Sequence, residues 1–355
     1  MDLGEIARGR LAAAVYPLAL DDAAQAVVVA VGDRVLVLDV KSGRTLEEYS
    51  PDEPGLTRCV EHAVLTPDGR HLVLTVSAQL DDEDGYAWVE VFDRRAGKRT
   101  MRVPEKRPEY DGGLRSVSVT SDGGGLVTDL WSEAISFWDL ATGAFRYTVG
   151  EPSDPYRTVM VGDETPVTAV AATPDGDLVA VLRESGELSL LRKDGTPIQS
   201  CETTLTGQAG ARRRVMSAPA TMLAFSRDCQ TLMAACQGHA SLVYRLDDEA
   251  YTLHPVGGPP GSAGATSPVQ TPIQLITDAR MVCWWPLGTP DPDAQEPPPL
   301  LVQDLTAATA TRVPLRRAQG AFPRSRLGTV AVSAGGRRLA WATGTLVWVH
   351  DVAWV

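Results

Sequence analysis

The sequence predicts an all-β chain made of a succession of small four-stranded antiparallel sheets, and three observations predict it. A short acidic turn recurs along the chain at near-constant spacing. Each such turn lies between two short apolar strands. A second turn type, in which an acidic residue follows an apolar or aromatic one, recurs at a fixed offset from the first. The first turn reads TPDGR at 66–70, TSDGG at 120–124, TPDGD at 173–177, SRDCQ at 226–230, TDAR at 277–280 and SAGGR at 333–337. Its aspartates, Asp68, Asp122, Asp175, Asp228 and Asp278, lie 54, 53, 53 and 50 residues apart; Gly335 stands 57 further on and Ala23 stands 45 before Asp68. Seven units of about 51 residues fill the chain.

Within a unit the order is constant. A first strand (VEHAVL, LRSVSV, VTAVAA, ATMLAF) enters the acidic turn, where Asp bonds to nearby backbone and Gly accepts a positive φ. A second strand follows (HLVLTV, GLVTDL, DLVAVL, TLMAAC, RRLAWA). The third runs into the second turn: VLVLDVKSG, VEVFDRRAG, ISFWDLATG, LSLLRKDG, SLVYRLDDE, LLVQDLTAA and LVWVHDVAW. A fourth leaves it, as in KRTMRV and FRYTV. Four short strands per unit with frequent turn signals are what a β-propeller blade requires. The expected fold is a single seven-bladed β-propeller over 1–355, with blades at roughly 11–50, 57–104, 113–150, 166–202, 219–254, 271–314 and 327–355. The last unit runs out just after its third strand, 346–352, so its outer strand is expected from the N-terminus, around 3–7 within a strand at 2–8, closing the ring.

The turns and the position that reads Trp138-Asp139, Phe92-Asp93, Leu38-Asp39 and His350-Asp351 resemble the WD40-repeat β-propeller family over essentially the whole chain. The resemblance implies a rigid scaffold of the kind that organises protein complexes. The Gly-His pair that opens many WD40 repeats is missing here, which makes the chain a divergent member. That departure implies loss of the buried Asp-His-Ser/Thr-Trp hydrogen-bond network, leaving blades held by apolar packing. Trp138, Trp341 and Trp348 fall in strands and are expected in the core.

Composition narrows the function. Hydrophobic residues are 44% and charged residues 22%, as in a folded soluble protein, and the net charge of -12 argues against a general binder of nucleic acid or anionic membrane. Positive charge is nearly all Arg, the lysines being Lys41, Lys98, Lys106 and Lys193, which points to a GC-rich, bacterial genome. The five cysteines, Cys59, Cys201, Cys229, Cys236 and Cys283, are odd in number and form no C-x-x-C pair, so neither a disulfide framework nor a zinc site is expected. The N-terminus, MDLGEIARGRLAAAVYPLAL, has no signal-peptide layout, and no apolar run is long enough to span a bilayer, so a cytoplasmic location is expected.

In this strand order the two short turn types leave one end of each sheet, while the links between units and between second and third strands leave the other. The second end holds nearly every insertion, among them QLDDEDGYA, PEKRPEYDGG, GEPSDPYRTVMVGDETP, ETTLTGQAGARRRVMSAP and HPVGGPPGSAGATSPVQT. Long loops on a rigid scaffold are where binding concentrates. Tyr86, Tyr110, Trp131, Tyr156 and Trp285 are the aromatic anchors expected there, with a basic run at Arg212, Arg213 and Arg214. Further charge is segregated: Asp81, Asp82, Glu83 and Asp84 and the 151–164 loop are acidic, while Arg316, Arg317, Arg324 and Arg326 are basic. Aligned first strands put Tyr16, Glu61, Arg115, Thr168, Thr221, Pro272 and Gly328 near the mouth of the central channel, with His62 next to Glu61 and with Glu61 and Arg115 on adjacent blades.

Chemistry-bearing motifs are missing. His62, His71, His239, His254 and His350 are scattered, and there is no G-x-S-x-G elbow, phosphate loop or dinucleotide fingerprint. No catalytic residue, metal ligand or cofactor is assigned. The leading expectation is a non-catalytic scaffold, monomeric in isolation, that binds a protein or peptide partner. The alternative is a channel-centred enzyme of hydrolase or lyase type, or a small-ligand sensor, using Glu61, His62 and Arg115; propeller enzymes gather such residues from different blades without a local motif.

Overall fold

The computed structural model describes residues 5–10, 15–20, 25–31, 34–50, 57–66, 68–80, 83–103, 114–120, 122–130, 134–149, 167–183, 185–203, 221–226, 228–236, 242–246, 253–256, 274–275, 280–284, 300–304, 309–313, 330–332, 338–343 and 346–351. Among these residues every regular element is a strand and none is a helix. After β1 (Glu5–Arg10), strands β2 (Val15–Leu20), β3 (Ala26–Val31), β4 (Arg34–Asp39) and β5 (Thr45–Tyr49) form one sheet in that spatial order. The next is β6 (Thr57–Leu65), β7 (His71–Leu80), β8 (Glu83–Asp93) and β9 (Lys98–Val103). Then come β10 (Leu114–Val119), β11 (Gly125–Leu130), β12 (Ala134–Asp139) and β13 (Phe145–Thr148), followed by β14 (Val167–Ala172), β15 (Leu178–Arg183), β16 (Glu187–Arg192) and β17 (Pro197–Glu202). The fifth is β18 (Thr221–Phe225), β19 (Thr231–Cys236), β20 (Leu242–Leu246) and β21 (Leu253–Val256), and the sixth β22 (Gln274–Leu275), β23 (Arg280–Trp284), β24 (Leu300–Asp304) and β25 (Thr309–Val313). Strands β26 (Val330–Val332), β27 (Arg338–Thr343) and β28 (Leu346–Asp351) end the chain, and β1 pairs with β28 as the fourth strand of their sheet.

The chain divides into two compact units: Glu53–Gly258, and a second made of Met1–Asp52 with Pro259–Val355. In the first, sheets pack face to face in chain order. Val73, Val89, Val91 and Met101 of the β6–β9 sheet meet Leu126, Trp138 and Leu140 of the next. Val127, Phe137 and Tyr147 then meet Val170, Val179 and Val181, and Ala180, Leu182, Leu188 and Leu190 meet Leu223, Leu232 and Tyr244. Both faces of a middle strand are thus covered, which explains why β15 reads LVAVLR rather than alternating apolar with polar. Truncating a wholly buried leucine such as Leu188 or Leu190 in such a core costs roughly 2–5 kcal/mol. In the second unit, Val27, Val29, Leu36 and Leu38 pack on Ala340, Val347 and Val349.

Two expectations need adjustment. The N-terminal strand lies a little later than placed from sequence: β1 pairs Glu5 with His350 and Arg10 with Leu346 along β28. One bond of the kind expected to be lost with the missing Gly-His pair, from a Trp to a Thr, is nevertheless present in the β10–β13 sheet. Trp138, 6% exposed, donates from Nε1 to Thr128 Oγ1 at 3.0 Å. The Trp-to-Thr limb survives because it joins neighbouring strands of one sheet and needs no histidine between them.

Candidate functional site

The short-turn end is built almost identically in four consecutive sheets. The hydroxyl of Thr66, Thr120, Thr173 or Ser226 donates to Oδ1 of Asp68, Asp122, Asp175 or Asp228 at 2.5–2.6 Å. It also accepts the amide of His71, Gly125, Leu178 or Thr231 at 2.8–3.1 Å. The same Oδ1 accepts the amide two residues on, from Arg70, Gly124, Asp177 or Gln230. The other turn is capped in the same spirit, with Asp39, Asp93 and Asp139 accepting the amides of Ser42, Ala96 and Thr142 at 2.6, 3.0 and 2.9 Å. Arg70 adds a two-nitrogen contact to Asp93 at 2.9 and 3.1 Å, and Arg146 pairs with Asp139.

In the second turn these bonds hold the carboxyls of Asp39, Asp93 and Asp139 below the usual carboxylate range. The Arg146 guanidinium, then the Thr142 amide, bring Asp139 down to about 2. The Ala96 amide and Arg70 lower Asp93, and the Ser42 hydroxyl lowers Asp39. Neighbouring sheets are also latched at this end: the Tyr147 hydroxyl donates to the Gly176 carbonyl at 2.5 Å, while its ring stacks on Phe137 with centroids 5.2 Å apart. A side chain at Gly176 would run into Tyr147. The turn aspartates described here are therefore occupied with the turns' own architecture.

At the opposite end of their sheets, the described residues include five of those picked out by sequence for the channel mouth, Tyr16, Glu61, Arg115, Thr168 and Thr221. Tyr16 is on β2 opposite Ala30, and Thr221 opens β18 opposite Cys236. Glu61, Arg115 and Thr168 share a more specific position: each is the residue left unpaired where the register shifts, between Val60 and His62, Leu114 and Ser116, and Val167 and Ala169. These are β-bulges, which bend a strand and re-aim one side chain. His62 resumes the ladder opposite Thr75. The Thr168 hydroxyl bonds the Leu182 carbonyl at 3.0 Å. In β2 the shift falls at Leu18, between Pro17 and Ala19, so Leu18 rather than Tyr16 stands in the equivalent place. Tyr110, Trp131, Tyr156, Trp285, Arg212, Arg213, Arg214, Pro272, Gly328, the 151–164 loop and Arg316, Arg317, Arg324 and Arg326 lie outside the described residues.

One feature of this end among the described residues was not expected from sequence. Strands β6, β7 and β8 are 9, 10 and 11 residues long, against 6 or fewer for every other strand among the described residues. QLDDEDGYA, expected to be a loop, contributes most of its residues to a hairpin in which Ala78 pairs with Tyr86 and Leu80 with Glu83. β6 supports it on the inner side, pairing Thr57 with Gln79 and Cys59 with Ser77. Its signal was the run from His71 to Leu80, which contains no Gly or Pro. Matched from the common turn, β7 outruns β11 by four residues, about 13 Å of strand at the usual rise. Beneath it the buried Glu90 carboxylate accepts Trp88 Nε1 at 3.1 Å and Arg99 at 2.8 Å, tying β8 to β9.

Among the described residues, no group of three or more His, Cys, Asp and Glu side chains is placed to hold a metal ion. Searches by sequence find no matching family model and no matching curated protein. Among solved structures the chain is similar to the β-propeller domain of Cps50 (Swd1) from Myceliophteria thermophila, at 11% identity with a TM-score of 0.61, over 98% of this chain and 100% of that one. The fold is that of a β-propeller, as the WD40 resemblance implies.

Proposed function

We propose that this β-propeller is a non-catalytic, cytoplasmic scaffold that binds a protein or peptide partner through the long-loop end of its sheets. In this proposal the seven sheets are blades of one ring over 1–355, closed by β1 on β28. One observation carries the functional part: among the described residues, the strands that outgrow the common length belong to a single sheet and outgrow it at the long-loop end, the end opposite the self-bonded turns. A scaffold needs one end that holds shape and one that differs from blade to blade. Changing Trp131 and Trp285 together to Ala is expected to abolish capture of the partner that the wild-type chain recovers from its native host. Undiminished capture by the double variant rejects this face.

A second reading, a small polar ligand held near Glu61 and Arg115, is favoured by the shared bulge position of these residues and Thr168. It requires a metabolite that raises the melting temperature of the wild type but not of Glu61→Ala or Arg115→Ala.

A further inference from the structure

One turn at the short-turn end departs from its counterparts in charge. The stretch 93–99, DRRAGKR, has the backbone of 39–45 and 139–145: Gly97, Gly43 and Gly143 have φ of 61, 67 and 71°. The Arg94 amide bonds the Arg70 carbonyl at 2.9 Å just as that of Leu140 bonds Gly124 at 3.1 Å. Its side chains differ. Where Val40 and Leu140 are buried in the cores of their sheets, this turn has Arg94, half-buried, whose Nη1 donates to the Gly69 carbonyl at 2.8 Å. Arg95, Lys98 and Arg99 are all exposed, and Arg99 reaches back to Glu90 at 2.8 Å. Among the described residues, Arg95 and Lys98 take part in no ion pair.

Nearby carboxylates are turned inward. Asp68 accepts the Thr66 hydroxyl and the Arg70 amide, and Asp93 accepts the Ala96 amide and two Arg70 nitrogens. Five cations, Arg70, Arg94, Arg95, Lys98 and Arg99, thus share the two turns of this sheet with two carboxylates, Asp68 and Asp93. The matching turns of the β10–β13 sheet, 120–125 and 139–145, carry Asp122 and Asp139 and no Lys or Arg. Those of the β14–β17 sheet set Arg192 and Lys193 against Asp175, Asp177 and Asp194. The basic turn is also open: a Cβ on Gly97 would meet nothing within 4 Å, whereas one on Gly143 would lie 3.2 Å from the Thr100 carbonyl. Cations on a turn already fixed by Asp93 can meet opposite charge without first ordering the backbone, and guanidinium groups match carboxylates in shape. Net charge then selects the occupant. At -12 overall the molecule repels the outlying phosphates of a long nucleic acid, while a short acidic segment engages this turn alone.

We infer that the 94–99 turn binds an Asp- or Glu-rich segment of a partner protein, with Arg95 and Lys98 as principal contacts and Arg94 and Arg99 beside them. This surface is at the end opposite the long-loop face, and each stands or falls by its own test.

The probe is a fluorescent peptide that alternates Glu with Ser, titrated with the full chain at low salt and read by anisotropy. Arg95→Ala with Lys98→Ala is expected to weaken binding by about tenfold or more, whereas Lys41→Ala with Arg44→Ala, which removes the same charge from the matching turn, changes it by less than about twofold. Equal losses in the two double variants mean diffuse attraction and overturn the inference, as does no binding by the wild type. All four replaced side chains are exposed, so an unchanged thermal transition is expected of both variants. A peptide with Gln in place of Glu is expected not to bind; its undiminished binding overturns the inference, and because only the peptide changes, a misfolded variant cannot hide the result. A single-stranded oligonucleotide that binds more tightly than the peptide and is released by the Arg95 and Lys98 change assigns the turn to nucleic acid. A dimer dissociated by that change assigns it to a second copy; either outcome overturns the inference. Loss of the peptide on changing Trp131 and Trp285 to Ala places it at the long-loop end, and the inference fails while that face stands.

Discussion

Four turns of one design make the same demand on the backbone at one position, and three meet it with glycine: Gly69, Gly123 and Gly176 have φ of 64, 78 and 74°. The fourth uses Cys229 at φ 58°, the single non-glycine residue with positive φ among the described residues. A Cβ in the left-handed region costs roughly 1–2 kcal/mol, of which glycine's greater freedom in the unfolded chain takes back part. Cys229→Gly is therefore expected to stabilise the protein by about 1 kcal/mol, seen as a higher urea midpoint at unchanged slope. A lower midpoint would mean that the contacts of the Cys229 side chain outweigh the backbone term. At this scale the sequence was most informative where the chemistry is local. Asp68, Asp122, Asp175 and Asp228 each bond within a few residues of themselves, so a short motif contains the whole interaction. The bond from Trp138 to Thr128 links residues on two strands and went unforeseen.

At the scale of the element, β1 matters because, among the described residues, it is the strand that covers the outer side of β28. Removing residues 1–10 strips partners from the stretch Leu346 to His350 and leaves an apolar edge, LVWVH, open to other chains. Aggregation, or loss of a single cooperative unfolding transition, is the expected result by light scattering and thermal circular dichroism. A soluble truncated chain with an unchanged transition would show that the β1 pairing contributes little. Strands of ordinary length were legible because alternation and turn chemistry both act over a few residues. The hairpin extension was not, since an acidic run between two strands reads as a loop until β6 is known to pair Thr57 with Gln79, across more than twenty residues of sequence. Bulges were half legible. Alignment of first strands found Glu61, Arg115 and Thr168, but in β2 the register shift falls two residues later than alignment places it, at Leu18 rather than Tyr16.

At the scale of the whole molecule, one compact unit draws on both chain ends while the other is a continuous stretch from Glu53 to Gly258. The ends meet inside a sheet, with Glu5 opposite His350. Joining Val355 to Met1 would turn β28 and β1 into a hairpin linked by 352–355 and 1–4, matching the third-to-fourth strand connection of the other six sheets. New ends can then be opened in the glycine-rich segment GGPPGSAGATS at 257–267, which follows β21 and precedes β22. If the seven sheets form one ring, this permutation breaks no strand pairing and only changes where the chain begins, so it should be tolerated. The permuted protein is expected to keep its circular dichroism and to unfold in one transition within about 5 °C of the original. Two separate transitions, one removable by proteolysis without disturbing the other, would mean that the compact units are independent bodies, and the single-ring proposal would fail even though every sheet within them remained.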